Sequence, residues 1–546
     1  MIPGSPFFVE MQQLALANDS KSRKDDVFIR QAVAIGLSLD IPVSEIFLEQ
    51  LGHKTHVLDI RTVAEYVFAA YPERFLAGFD ALPKVAFRQV LLKFWEAYSK
   101  YYPHHPVFSD HGHRLSSCVP VKIHSDEGTG LRRTGVYQFS WGPVLPSDLS
   151  SVSRYIFWSC MKHEDYKDGH AGYERGNHIL DELCGHFAAQ ALDVYLNGVQ
   201  TEVLGKVFLV WVAHEGDLPA QAKAYHCKRN FNCTPNSMCS WCLANDTTLP
   251  YTDVRDEAQW RRTVYVERPW TTPGPFQQIP GADHEMFLAK DLFHLCHLGA
   301  IRTFCINLMC FLVTMKVFAP WLCLAVNVCA DDASIPLRLQ VTYRLFKQYC
   351  TRRRGYPRVK HFTKENLSWT SMSKYPEASF KGSDAPLLLG FLIDYMARPE
   401  VELDEIGKTG YVAAKAIDDF LRSVFSTKSQ FLSKSEGIVA ATALSVWLQK
   451  TYECAKMCFD KRITFFNLTP KMHYLGHVLE DMRAQLSLSA DADDILNPTL
   501  FATQAAEDWV GKACQIARTV HPRTVAKRSA QKYLIAAKLF WDKARE

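Results

Sequence analysis

No internal repeat and no low-complexity tract interrupts this 546-residue sequence, which excludes solenoid and tail-like architectures. A large excess of one charge sign is also missing, since the formal net charge is only +4. The chain as a whole therefore makes no electrostatic case for nucleic acid, and such a case has to rest on local patches. The N-terminal stretch MIPGSPFFVE lacks the basic segment and long apolar run of a secretory signal. An intracellular, reducing compartment is expected, so the 16 cysteines are read as metal ligands before disulfides. Nor is there an unbroken apolar run of the ~20 residues that a membrane span needs. The nearest candidate, from Thr303 to Met315 and on to Ala330, is interrupted by Lys316 and Pro320. It reads as a buried helix pair, with no membrane as partner.

What is present is ordinary globular material: 48% hydrophobic and 22% charged residues, which argues against disorder. The length allows roughly two to four domains. Residues 1–115 read as a helical region, offered for DNA binding or dimerisation. Apolar residues recur there at three- and four-residue spacing over Phe28–Leu39, Arg61–Phe79 and Pro83–Tyr101. The period then changes. Cys118–Asp126 predicts a strand, Glu127-Gly-Thr-Gly130 a turn, and Gly135–Trp141 its hairpin partner. Asn177–Asn197 predicts an amphipathic helix. The apolar run Lys206–Ala213 predicts a buried central strand, which ends at His-Glu-Gly-Asp217. The expected fold class is α/β, a mixed sheet with flanking helices, interrupted by a large all-helical insertion. The expected division is 1–115, then 116–290 for the first part of the core with its cysteine cluster. The insertion covers 291–488, and helices over 489–546 complete the core.

Acids at strand ends are the first candidates for chemistry. Asp126 and Asp217 each close a predicted strand, where a carboxylate is exposed at the sheet edge. Two such groups with a third from a helix can hold a pair of Mg²⁺ ions about 4 Å apart for phosphoryl displacement. Each also suits a plain capping role, and Asp217-Leu-Pro-Ala220 has the form of a helix start. Glu507, beside Asp508, opens a helix and equally suits its dipole.

Cys239-Ser-Trp-Cys242 has the gap that lets two thiolates share one tetrahedral Zn²⁺. The missing ligands could be Cys227 and Cys233, or His294 and His297 of Asp291-Leu-Phe-His294-Leu-Cys-His297. The set carried forward is Cys239, Cys242, His294 and His297, against a reduced thiol pair or a redox pair. His473 and His477 share a helix face but read as packed or surface histidines. The densest cationic stretch is Arg352, Arg353, Arg354, Arg358 and Lys360, with Tyr356 and His361 nearby for stacking. It is read as nucleic-acid-binding, beside the plainer alternative of a solvated face.

Taken in order, these segments resemble the CACTA (En/Spm-like) transposases, one superfamily of the DDE/D enzymes, loosely from Pro120 to Arg528. Ile123-His-Ser-Asp126-Glu-Gly resembles the first acidic strand of that family, and Gly216-Asp217-Leu-Pro-Ala220 the second. Cys239-Ser-Trp-Cys242, Asp291-Leu-Phe-His294, Pro470-Lys-Met-His473 and Ala506-Glu507-Asp508 resemble its later motifs. The resemblance implies an RNase H-like core with Asp126, Asp217 and Glu507 as a triad for two Mg²⁺ or Mn²⁺ ions, and a structural Zn²⁺. It further implies cut-and-paste cleavage and strand transfer on double-stranded DNA, action as a homo-oligomer, and a nuclear location. The sequence departs from the pattern in its extra His297 and in Asp508, which could take the third acidic position. A non-catalytic chain that keeps the fold and binds DNA or chromatin shares nearly all these features. An unrelated zinc-stabilised helical interaction protein is the third reading.

Overall fold

From Val207 to Glu215 every residue is buried, and this run forms an interior strand of a five-stranded sheet. The computed structural model describes residues 24–77, 84–130, 134–146, 150–167, 177–202, 204–230, 238–318, 335–427, 429–491 and 493–545. The chain divides into two units: Met1–Asn230, Arg268–Ala289 and Thr503–Glu546 form the first, and Phe231–Glu267 with Lys290–Ala502 the second.

The first unit is mixed α/β. It begins with α1 (Lys24–Ala34), the hairpin β1 (Ser44–Leu48) and β2 (His53–Val57), then α2 (Ile60–Ala70) and α3 (Lys84–Tyr101). There follow β3 (Cys118–Thr129), β4 (Gly135–Pro143), β5 (Ile156–Lys162), α4 (His178–Leu196), β6 (Val199–Thr201), β7 (Gly205–Glu215) and α5 (Leu218–Ala224). The sheet order is β5-β4-β3-β7-β6. The antiparallel meander β3–β4–β5 is followed by α4, whose crossover lets β7 lie parallel to β3. Asn177 starts α4 by accepting from the Leu180 amide.

One irregularity sets which way the end of β7 faces. Val121 pairs with Trp211 but Lys122 pairs with Ala213, so Val212 is an extra residue in β7. Such a bulge shifts the in–out alternation beyond it. Before it, Trp211 packs with Trp141 and Phe187 on one face. After it, Glu215 sits on the other face and takes the Lys122 ammonium at 2.5 Å and the Tyr155 hydroxyl at 2.8 Å. The carbonyls freed around the bulge are satisfied from the N-terminal region. Tyr98 donates to Val212 O at 2.9 Å, and His105 Nε2 to Trp211 O at 3.0 Å. His105 Nδ1 accepts from the Val107 amide, which fixes the tautomer, and burial pushes this imidazole down to about 4.

The N-terminal stretch therefore corrects the sequence expectation. It is not a wholly helical region ending near 115, because it contains β1–β2, and it belongs to the sheet unit. Arg61 pairs with Asp193 of α4 at 2.7 Å, and Trp95 donates to Cys118 O at 2.9 Å. A β-hairpin there was hidden because Ser44–Val57 is short and polar on one side, with Gly52 turning at φ +69.

The second unit is almost wholly helical. A π-helical turn, Phe293–Ala300, runs into α6 (Ile301–Thr314), followed by α7 (Ile335–Arg352), α8 (Asp384–Met396) and α9 (Glu405–Phe425). Short β8 (Phe431–Ser433) leads to α10 (Lys434–Asp460) and α11 (Pro470–Leu488), and β9 (Asp494–Leu496) pairs back to β8. Phe293–Thr314 is long and apolar enough to cross a membrane, but 78% of its most apolar stretch is buried in the protein. Asn307 inside α6 is fully buried, donating to Thr303 O and Pro376 O and accepting from the Phe466 amide. Most of the apolar run after Lys316 lies outside the described residues. The chain then re-enters the first unit as α12 (Gln504–Arg518) and α13 (Val525–Lys543). Both cover the sheet face opposite Trp211: Trp509 donates to Ser140 Oγ at 3.0 Å, and Tyr533 packs on Phe157.

Removing the Tyr98 hydroxyl leaves the Val212 carbonyl buried without that donor. Tyr98→Phe is expected to destabilise the first unit by about 1–3 kcal/mol, read as a lower urea midpoint at unchanged slope. An unchanged midpoint would show that the bulge does not depend on this bond.

Candidate metal centre and acidic sheet edge

The Cys239–Cys242 turn and α11 build one buried group within the second unit. Amides within the turn point back at the sulfurs, Trp241 N at 3.4 Å from Cys239 Sγ and Ala244 N at 3.3 Å from Cys242 Sγ. Pro470 starts α11, and one turn separates His473 from His477, so both imidazoles leave the same face. Cys239 Sγ lies 3.3 Å from His477 Nε2, Cys242 Sγ 3.3 Å from His473 Nε2, and the two Nε2 atoms 3.1 Å apart. All four ligand atoms fall within 4.8 Å of one another, and all four residues are buried. A tetrahedral ion with bonds of about 2.0–2.3 Å requires ligand–ligand edges of roughly 3.3–3.8 Å, so these donors fit a metal ion with little adjustment.

The surroundings hold this geometry. Trp260 lies against both imidazoles, with ring centroids 4.2 Å from His473 and 4.9 Å from His477. Gly476 makes that approach possible, because a Cβ there would stand 2.9 Å from Trp260 Cη2. Arg261 pairs with Glu480 at 2.6 Å, and Lys290 with Asp481 at 2.8 Å, clamping the cysteine-bearing segment to α11. Protonation also suits a cation. Burial alone would raise the Cys239 thiol, but Cys242 and the two imidazoles hold it well below the usual thiol range. Burial pushes His477 down to about 4, leaving it a neutral donor at pH 7. Both Nδ1 atoms are buried and unpartnered, so the outer-shell acceptor usual for a ligating histidine is absent among the described residues.

This corrects the ligand set expected from the sequence. His294 and His297 are not in the group; His473 and His477 take their places. His294 Nδ1 is engaged by the Asp291 carboxylate. His297 is buried between Phe293 and Phe425, and burial lowers it to about 4. The two are three apart on a π-helical turn that Gly299 breaks, rather than on a regular helix face. Cys227 belongs to the first unit, and Cys233 lies outside the described residues.

The acids are placed differently. His124 pairs with Glu215 in the parallel register of β3 and β7, so Asp126 and Asp217 each stand two residues past that pair. Gly216 permits close approach of the strand ends, since a Cβ would sit 2.6 Å from Ser125 O. Asp126 Oδ1 accepts from the Glu127 amide, and Asp217 Oδ1 caps α5 by accepting from Ala220 N at 2.8 Å. Glu507 is exposed in the first turn of α12. That helix is tied to β4 through Trp509 and to β3 through Arg518, whose Nε donates to Thr129 O at 2.8 Å. Asp508 is committed elsewhere: Lys512 at 2.7 Å and Ser151 at 2.5 Å hold its carboxyl below the usual range. Asp126 does not close its strand as expected, because β3 continues paired with β4 to Thr129; it stands beside the point where β7 has ended and Asp217 begins α5. Among the described residues, though, the three acids do not close into a ligand group as the Cys and His residues do.

The sequence reading missed the buried Lys122–Glu215–Tyr155 set one pair behind this edge. Single polar residues inside an apolar strand gave no signal that they would meet. No protein-family model matches the sequence, and no curated protein matches it.

Purified protein is expected to carry one tightly held metal ion per chain by elemental analysis. His473→Ala and Cys242→Ser should each lower that content below about half and bring down the second unit's melting temperature. Full metal content in both variants would place the ion elsewhere.

Proposed function

We propose that this chain is a transposase-derived nuclease and strand-transferase acting on double-stranded DNA, with an RNase H-like core in the first unit. The observation that carries this reading is the shared edge of β3 and β7. Asp126, inside β3, and Asp217, just past the end of parallel β7, each stand two residues beyond the last β3–β7 pair, and the helix bearing Glu507 packs on that sheet. The antiparallel meander, crossover helix and parallel fourth strand are what such a core requires. Leu288 adds an isolated parallel bridge to His214. The metal centre supports the same reading, because the CACTA-like cysteine pair and the CACTA-like late histidine motif meet in it.

The ion in the second unit is read as structural Zn²⁺. Two thiolates and two imidazoles in a closed, buried, four-ligand set leave no open position for a substrate. At the acidic edge, Mg²⁺ or Mn²⁺ would supply charge neutralisation at phosphorus and a more acidic water. The chain's own part is to hold one carboxylate within a paired strand and the other at the helix start that follows its parallel neighbour. Asp217 is fixed by its capping bond, and Lys122 balances Glu215 so that no unpaired charge is buried behind the edge. The resemblance that supports this function also carries action as a homo-oligomer and a nuclear location.

The second reading is a chain that keeps this architecture and binds DNA or chromatin without cutting it. The open arrangement of Glu507 relative to the strand-end acids favours it. Nicking of supercoiled plasmid in Mg²⁺ or Mn²⁺ separates the two. Asp217→Asn should abolish nicking to the metal-free background while leaving the melting temperature unchanged, because asparagine caps a helix as well as aspartate. DNA binding with no nicking by the unaltered chain in either metal would establish the second reading.

A further inference from the structure

Along α7, Arg344, Lys347, Gln348 and Thr351 recur at three- and four-residue intervals, so they form one exposed stripe that Arg352 continues. The stripe lines an open cleft of about 970 Å³ together with Arg398, Asp394 and Glu400. Asp394 serves both Arg352 and Arg398, at 3.3 Å each. Arg344 and Lys347 make no ion pair among the described residues, so the cleft carries an excess of positive charge. A cation in the last turn of α7 is what any helix C-terminus favours, but that accounts for Arg352 and not for a stripe extending two turns back.

The loop leaving this helix is held at both ends. Gly355 N donates to Cys350 O at 2.8 Å, and Arg354 adopts a left-handed φ of +54. The Asp384 carboxylate, at the start of α8, accepts from the Arg358 and Val359 amides at 2.7 and 3.2 Å. Between these anchors Tyr356 stands 87% exposed, with Arg354 and Arg358 two residues away on either side. An aromatic ring so exposed on a fixed loop contributes nothing to a core. Flanked by cations, it has the form of a stacking platform. A row of cations suits a row of phosphates. A protruding ring suits an unstacked base, which a closed duplex does not offer.

We propose that this face of the second unit binds single-stranded DNA, with phosphates along Arg344, Lys347, Arg352 and Arg398 and a base on Tyr356. The inference deepens the nucleic-acid part of the reading above but requires none of the strand-end acids. The test is fluorescence anisotropy of the full chain with a mixed-sequence 20-nucleotide strand and with its duplex, without added divalent metal. Tyr356→Ala should weaken single-strand binding about 5- to 150-fold and leave duplex binding unchanged. Tyr356→Phe should bind the strand as the unaltered chain does. Arg344→Ala with Lys347→Ala should lower the log–log salt slope for the strand by about 1.4. Single-strand affinity untouched by Tyr356→Ala, an equal loss on duplex, or binding to duplex alone would overturn the proposal. Absence of nicking by the unaltered chain with strand binding intact would leave it standing, so the two readings fail separately.

Discussion

The extra residue in β7 is the constraint on which the first unit depends. It lets one strand serve two faces: Trp211 enters the aromatic packing around Trp141 and Phe187, while Glu215 reaches Lys122 on the opposite side. Without the shift at Val212, Glu215 would be driven into that aromatic layer, and a buried carboxylate there would meet no cation. The cost is a set of carbonyls out of ladder register, and the chain meets it with Tyr98 and His105. This explains why the N-terminal helices belong to the sheet unit. They complete its hydrogen bonding, and Arg61 and Trp95 fasten them there.

In the second unit the comparable role falls to the Cys2His2 group. Its cysteines and histidines are more than 230 residues apart in sequence, as the 231- and 238-residue separations of the two Cys–His contacts show. Closing so long a loop is entropically costly, and a metal ion held by all four ligands would offset that cost. The salt bridges from Arg261 and Lys290 to α11 serve the same join. Trp260 completes it by filling the space that Gly476 leaves.

Much of this was legible in residue order. The apolar run at Lys206–Ala213 marked an interior strand, and Asp217-Leu-Pro announced a helix start; the β3–β4 hairpin was visible too, although β3 runs on through Glu127–Thr129, where a turn was expected. These signals are local, and each rests on periodicity or turn chemistry within about ten residues. What failed was long-range. His294 and His297 lie nearer in sequence to the cysteines than His473 and His477 do, but nearness along the chain says nothing about direction in space. The four-residue spacing of His473 and His477 was visible, yet it specifies one helix face without saying what that face meets. The bulge at Val212 was silent altogether, since a uniformly apolar run has no alternation whose interruption could be seen.

The order in which the chain visits its two units has a consequence for its synthesis. The sheet is complete in sequence at Glu215, but the helices that cover its Lys122–Tyr155 side begin at Gln504. At roughly 5–20 residues per second, the intervening stretch occupies a ribosome for some tens of seconds at the slower rates. During that interval Tyr155 and Phe157 lack the cover that Trp509 and Tyr533 later give them. A nascent chain of this design would spend that time with a half-finished core on display, and cells making it would need chaperones that hold such surfaces until the last helices emerge.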